Sequence, residues 1–323
     1  MPAFFGKAET LFELKAELEH RFPDCGDQLQ DLGHGFYLPG TCLENTTAAA
    51  TPPTAWWALD SLIDARILEY SSIKDAARQL NQLERGWQNW SGLHYGRSEL
   101  IKSHLKPART AAAGQPADDL TKHAEPGRPV FAVLDHQQLV YGRRHSNPFG
   151  IDAPLAEDLP EAPSRAVYKL QEVFQRLQWQ PTPDQKALEI GASPGGWTWF
   201  LARLDMQVDA WDRSPLRKDL LHMPAIRFRQ GDAFKVQPGD IHPVEWFFSD
   251  LICEPERLWR YLQPWLYDSD CQHFVCTLKM KGQSDLRLLE RFQSIPNSRI
   301  WNLYYNKHEL TWIHSKTRPL PEF

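Results

Sequence analysis

The chain has no run of apolar residues approaching the roughly 18 needed to cross a bilayer, so no helical membrane span is expected. Its first residues, Met1 to Phe12, carry neither a basic segment followed by a long apolar stretch nor an Arg-rich amphipathic pattern, and a cytoplasmic location is the expectation. Cysteine is scarce. The five residues, Cys25, Cys42, Cys253, Cys271 and Cys276, are odd in number, lack Cys-x-x-Cys spacing and sit partly in apolar runs, which predicts free buried thiols and neither a disulfide framework nor a metal site. A basic surplus is also missing: 36 Lys and Arg stand against 41 Asp and Glu, for a formal net charge of -5. That balance excludes a protein coating nucleic acid through bulk charge, while a local basic face stays open. There is no internal repeat and no heptad run. Low complexity is confined to two Ala-rich loops, Thr46–Thr54 and Ala111–Gly127. With 323 residues, 42% of them hydrophobic, the chain can bury two ordinary domain cores without staples.

What is present centres on Ala187-Leu188-Glu189-Ile190-Gly191-Ala192-Ser193-Pro194-Gly195-Gly196-Trp197, which reads as a buried strand, a glycine-rich turn and the start of a helix. Such a turn exposes backbone N–H groups at a helix N-terminus and lets a ligand approach without interference from Cβ atoms. The dinucleotide fingerprint Gly-x-Gly-x-x-Gly is not met, because Ser193 stands in place of its second glycine.

Around this turn the chain predicts two regions, 1–150 and 151–323. The first is an α+β region with a helix over Glu9–Leu18, a longer helical pattern from Trp56 to Leu83, and a closing hairpin of Pro129–Leu134 and Gln138–Gly142. The second alternates helix and strand. Helices are expected over Ser164–Leu177, Gly196–Leu204, Pro255–Trp265 and Asp285–Ser294. Strands are expected over Ala187–Gly191, Gln207–Trp211, Ile226–Gln230, Trp246–Ser249, His273–Leu278, Ile300–Tyr305 and Glu309–His314. That alternation predicts an α/β fold with a mostly parallel sheet covered on both faces, its ligand at the C-terminal strand ends.

Three of those strand ends carry an Asp. Asp212 lies 21 residues after Gly191, where a carboxylate can accept from ribose hydroxyls; Asp232 follows the third strand and Asp250 the fourth. Any single Asp could equally be a cap or turn residue. Lys279 and Lys281 follow a core strand and share a face if it continues, and both are candidates for a proton acceptor. Glu309 opens the last strand and Lys169 lies on the helix Ser164–Leu177.

Taken in order, Ser-Arg-x-x-x-Lys169, the Pro-Gly-Gly-Trp197 turn, Ser-Asp250, Leu-Lys279 and Glu309-Leu-Thr resemble the motifs of the FtsJ-like ribose 2′-O-methyltransferases, over Pro163–His314. The resemblance implies a Rossmann-like domain that binds S-adenosylmethionine through Gly191, Ser193, Pro194, Gly195, Gly196, Trp197, Asp212, Asp232 and Asp250. It also implies a tetrad of Lys169, Asp250, Lys279 and Glu309, with Lys279 as general base for a ribose 2′-hydroxyl. The stretch Tyr141–Gly150 followed by Ala162–Arg165 is similar to the RlmM-like branch, whose members methylate a cytidine ribose in bacterial 23S ribosomal RNA before full subunit assembly and carry an N-terminal THUMP-containing region. Upstream of Val130 this chain has helices and a closing hairpin of compatible kind. Its basic residues Arg97, Lys102, His104, Lys106 and Arg109, interleaved with Trp87, Trp90 and Tyr95, and Arg143 and Arg144 further on, are candidate RNA contacts; the alternative is a solvated face over core tryptophans. Rival readings are a methyltransferase acting on another hydroxyl, an RNA-binding protein without catalysis on the same fold, and an NAD-dependent dehydrogenase.

Overall fold

The computed structural model describes residues 2–38, 54–108, 128–147, 149–151 and 158–321. Cys42, Arg109, the Ala111–Gly127 stretch and most of the Thr46–Thr54 loop lie outside the described residues. The chain divides into two compact units, Met1–Ala153 with Glu322–Phe323, and Pro154–Pro321.

The first unit is α+β. Strands β1 (Ala3–Phe5), β2 (Gln30–Asp31), β3 (Gly35–Tyr37) and β4 (Asp60–Leu62) form an antiparallel sheet in the order β2-β3-β1-β4. Strands β5 (Arg66–Glu69), β6 (Gln88–Asn89), β7 (Val130–Val133) and β8 (Gln138–Gly142) form a second sheet, β5-β8-β7-β6, with β6 and β7 parallel. The expected hairpin is present, Val130 facing Gly142. Helices α1 (Leu11–Arg21), α2 (Ile73–Leu83) and α3 (Tyr95–Lys102) complete the unit. The long helical pattern from Trp56 to Leu83 is corrected: β4 and β5 occupy its first half and only α2 is helical. Apolar residues there happen to fall near helical spacing, but β4 finds its partner in β1 and β5 in β8, so long-range pairing overrides the local period. The helix begins where the capping chemistry sits, with the Ser72 hydroxyl accepting from the Asp75 N–H at 3.2 Å.

The second unit is the expected Rossmann-like sheet. Strands β9 (Lys186–Ile190), β10 (Gln207–Asp212), β11 (Ile226–Gln230), β12 (Trp246–Ser249), β13 (His273–Lys279), β14 (Ser298–Trp301) and β15 (Glu309–Ser315) lie in the order β11-β10-β9-β12-β13-β15-β14. All pairs are parallel except those of β15, which runs antiparallel to both neighbours. The central strands read as continuous apolar runs because helices cover both faces. The chain leaves β9 toward β10 on one side and later fills β12 and β13 on the other, so the order reverses between β9 and β12, and a crevice opens at their C-terminal ends. Helices α4 (Val167–Leu177), α5 (Gly196–Arg203), α6 (Pro255–Tyr267) and α7 (Leu286–Gln293) flank the sheet. Helix α6 starts with Pro255 in its first turn, and α7 is capped by Asp285, whose carboxylate accepts from the Leu288 N–H. Strand β14 ends at Trp301, not at the expected Tyr305, because the chain turns away there to meet α4.

Candidate active site

At the end of β9 the backbone turns sharply. Gly191 has φ +77°, and a Cβ there would fall 2.6 Å from Leu251 Cα, so only glycine lets the β9 and β12 loops approach each other. Gly195 caps α5 at φ +113°, where a Cβ would collide with Leu220. Asp212, the last residue of β10, accepts from the Ser193 N–H at 3.0 Å and from the Ser214 N–H at 2.8 Å. One N–H of the glycine turn is therefore already taken by a carboxylate, which keeps further acceptor capacity on both oxygens. Asp232 accepts from Phe234 N–H and from the Arg213 guanidinium; burial works against its charge, but these donors hold its carboxyl below the usual range. Trp197 is core, its indole N–H donating to the Ala166 carbonyl at 2.8 Å.

One residue of this cleft was not singled out from the sequence. Glu189, the last residue but one of β9, is 1% exposed, and its carboxyl accepts from the Thr198 hydroxyl at 2.6 Å. Burial pushes its carboxyl up to about 8; the Thr198 hydrogen bond opposes this, and the nearby charges of Asp250 and Asp212 add to it. An acid inside the apolar strand Ala-Leu-Glu-Ile was the available signal. Glu189, Asp212 and Asp250 thus converge at adjacent strand ends, and no cation is paired with Glu189 among the described residues. This set of acceptors suits a cationic, hydroxyl-bearing ligand such as S-adenosylmethionine. It suits a dinucleotide poorly, because a pyrophosphate needs free N–H groups and no row of carboxylates.

The four tetrad residues come from four separate elements. Lys169 projects from the first turn of α4, Asp250 follows β12, Lys279 ends β13 and Glu309 opens β15. Lys279 and Glu309 are direct cross-strand neighbours. The Lys169 ammonium lies 2.5 Å from Glu309 Oε1 and 3.3 Å from Asp250 Oδ1. Burial works against its charge, but Asp250 and Glu309 outweigh that and hold the ammonium above the usual lysine range. The Lys279 amine donates to the Asp250 carbonyl at 2.8 Å and reaches Asp250 Oδ1 at 3.0 Å. Lys281 is exposed on the turn beyond β13 and joins none of these contacts, so Lys279 is the lysine the fold delivers to the cluster.

The expected basic face divides. Trp87 and Trp90 are buried in the two cores of the first unit, so the tryptophans offer no stacking surface, and the expectation that they do is corrected: the first indole N–H is tied to Leu80 and Glu84 carbonyls and the second ring packs edge-on against Phe5. Arg97 donates to the Tyr70 hydroxyl and the His136 carbonyl, and Lys102 pairs with Glu99. Arg143 pairs with Glu84 at 2.7 Å, and the Arg144 N–H donates to Asp64. Lys106 is exposed, with its backbone N–H on Asn81. The neighbouring His145 is not a surface group at all: its ring meets Asp60 at 2.5 Å inside the unit.

Comparison with known proteins bears out the resemblance read from the motifs. Residues 162–263 match the model of the FtsJ-like methyltransferase family. The chain is 33% identical over 180 residues to the ribosomal RNA large subunit methyltransferase M of Xylella fastidiosa, covering 51% of each chain. It is 32% identical over 217 residues to the protein of the same name from Ectopseudomonas mendocina, covering 61% of this chain and 59% of that one. The chain thus spans about half the length of the curated relatives it matches. Among solved structures, the fibrillarin pre-rRNA processing protein of Methanococcus jannaschii is similar over 60% of this chain and 84% of that one, at 15% identity and a TM-score of 0.35. The strand order, not that likeness, carries the fold assignment.

Proposed function

We propose that this protein transfers a methyl group from S-adenosylmethionine to a ribose 2′-hydroxyl of RNA, in the cytoplasm, and that its substrate is a cytidine of 23S ribosomal RNA presented before the large subunit is fully assembled. The observation that carries this reading is the assembled tetrad of Lys169, Asp250, Lys279 and Glu309 at the open strand ends. The substrate follows from the similarity to the large subunit methyltransferases M.

When bound, S-adenosylmethionine supplies an electrophilic methyl on a sulfonium that departs as a neutral thioether. The Gly191–Trp197 turn, Glu189, Asp212, Asp232 and Asp250 are the residues that would hold it. A ribose hydroxyl is a very weak acid, so its proton must be taken by a base within hydrogen-bond reach as its oxygen attacks. Lys169 cannot be that base, because two carboxylates hold its proton. Lys279 takes the proton, with its amine aimed by the carbonyl and carboxylate of a single residue, Asp250. Glu309 fixes Lys169, and Lys169 in turn shares Asp250 with Lys279. A complete tetrad speaks against a non-catalytic RNA-binding role, and the carboxyl-lined crevice speaks against a dehydrogenase. Among the described residues no helix is long and apolar enough to cross a membrane, and no cluster of His, Cys, Asp and Glu could hold a metal.

Mass mapping of ribose methylation in ribosomal RNA, from cells with and without the gene, tests this reading. One 2′-O-methylcytidine of 23S RNA is expected to vanish. Methyl label found only on small molecules or on transfer RNA would overturn the substrate assignment.

A further inference from the structure

Helix α4 buries ten of its eleven residues, including Glu172 and Arg176. Arg176 donates to Glu172 at 2.5 Å and to the Asn302 carbonyl at 3.2 Å. Both oxygens of Glu172 accept from one backbone N–H, that of Tyr304, at 3.0 and 2.8 Å. A buried ion pair thus fixes the backbone beneath a tyrosine that is itself 40% exposed. Charged groups are costly to bury unless each is paired and hydrogen-bonded, and here the result is a loop held in one conformation. The exposed ring is also supported sideways. Tyr304 packs edge-on against Tyr305 at 5.2 Å, and Tyr305 lies over Tyr168 at 5.0 Å. Tyr168 immediately precedes Lys169, and Tyr305 comes four residues before Glu309, so the tyrosine contact and the Lys169–Glu309 contact join the same two segments. Arg165 and Lys307, on those same segments, are exposed and make no ion pair among the described residues, unlike Lys102 and Arg143 of the first unit.

We propose that the Tyr304 ring is a stacking platform for a nucleotide base of single-stranded RNA next to the methylated one, with Arg165 and Lys307 facing its phosphates. The inference rests on the proposed RNA methyl transfer. A preformed aromatic face beside two unpaired cations is the chemistry that holds unpaired nucleotides without strict sequence preference. Its ring need not be ordered on binding, since the loop is already fixed from below.

The test uses the full chain and a fluorescein-labelled single-stranded RNA decamer of mixed sequence, with affinity read by anisotropy over a range of salt. Tyr304→Ala is expected to weaken binding about five- to hundredfold, Tyr304→Phe to retain it, and neither to change the slope of log affinity against log salt, because no phosphate contact is removed. S-adenosylmethionine affinity by calorimetry should be the same in all three proteins. Parent-like RNA affinity in Tyr304→Ala, with the parent methylating RNA, would overturn the platform alone. If the parent neither binds the decamer nor methylates ribosomal RNA, the functional reading falls and the platform with it. A loss of affinity in Tyr304→Phe equal to that in Tyr304→Ala would assign the effect to the hydroxyl and also overturn stacking.

Discussion

Asp60 in the first unit and Asp250 in the second each stand at a strand terminus against a basic side chain, and they differ in how far their oxygens are used. Asp60 is fully buried; one oxygen accepts from the Ser61 N–H, the Asn147 N–H and the Ser146 hydroxyl, and the other meets His145 at 2.5 Å. The other His145 nitrogen is bonded to the Arg128 carbonyl, and although burial works against the charged ring, Asp60 holds it above its usual range. Asp250 is partly exposed. Both of its lysines use the same oxygen, and the second oxygen has no bond among the described residues. Beside it sits Glu189, buried and with no cation of its own. A carboxylate whose lone pairs are all taken by its own chain is a structural joint, whereas a carboxylate with spare acceptors at an open strand end marks where an outside molecule completes the set.

The largest expected effect sharpens this contrast on the functional side. Lys279→Ala should slow single-turnover methyl transfer to RNA about a hundredfold to ten-thousandfold, with S-adenosylmethionine affinity near that of the parent and Lys281→Ala near the parent rate. A dead Lys281→Ala beside an active Lys279→Ala would move the base out of the cluster. On the structural side, Asp60→Asn should cost the first unit about 3–5 kcal/mol by leaving a buried charge and its donors unmatched. Denaturant titration would read this as an earlier unfolding transition, with calorimetric S-adenosylmethionine affinity unchanged; a transition at the parent midpoint would show that the joint carries no load.

The same amide replacement at Glu189 should act with opposite sign. A folded pKa of about 8 against 4.5 means that the folded state binds more protons than the unfolded one between those values. Stability therefore falls as pH rises through that window, by on the order of 3 kcal/mol at pH 7. Glu189→Gln should raise the thermal midpoint at pH 8 and leave it nearly unchanged at pH 4.5; an equal effect at both would mean that the carboxyl is not held neutral. The smallest effect is expected at Asp212. Its replacement by Ala should weaken S-adenosylmethionine binding by roughly 1 to 3 kcal/mol, and unchanged calorimetric affinity would remove it from the site.

Much of the second unit was legible because its central strands are largely apolar runs ended by an Asp, a Gly or a Lys. Phe247-Phe248-Ser249-Asp250 can hardly be anything else, and Lys279 stands out because Phe274 to Leu278 before it is entirely core. Glu189 was hidden by the same rule, since a strand read as apolar throughout leaves no reason to stop at one acid. In the first unit the strands are two to five residues long, and β4 and β5 pair with partners far away in sequence, so the Trp56–Glu69 stretch carried no local sign of its ladders. Tyrosines 304 and 305 read as the end of a strand because the carboxylate that bends the chain there comes from Glu172, on a helix 132 residues earlier.

Strand β15 is among the last elements in sequence, yet it lies inside the sheet, between β13 and β14. On the ribosome, every residue of β13 is finished while its hydrogen-bonding edge still waits for a partner not yet translated. A nascent chain stopped before Glu309 lacks the fourth member of the tetrad and shows a bare, apolar edge, the surface on which unfinished chains cluster and chaperones act. Insertion of β15 closes that edge and completes the tetrad in one event.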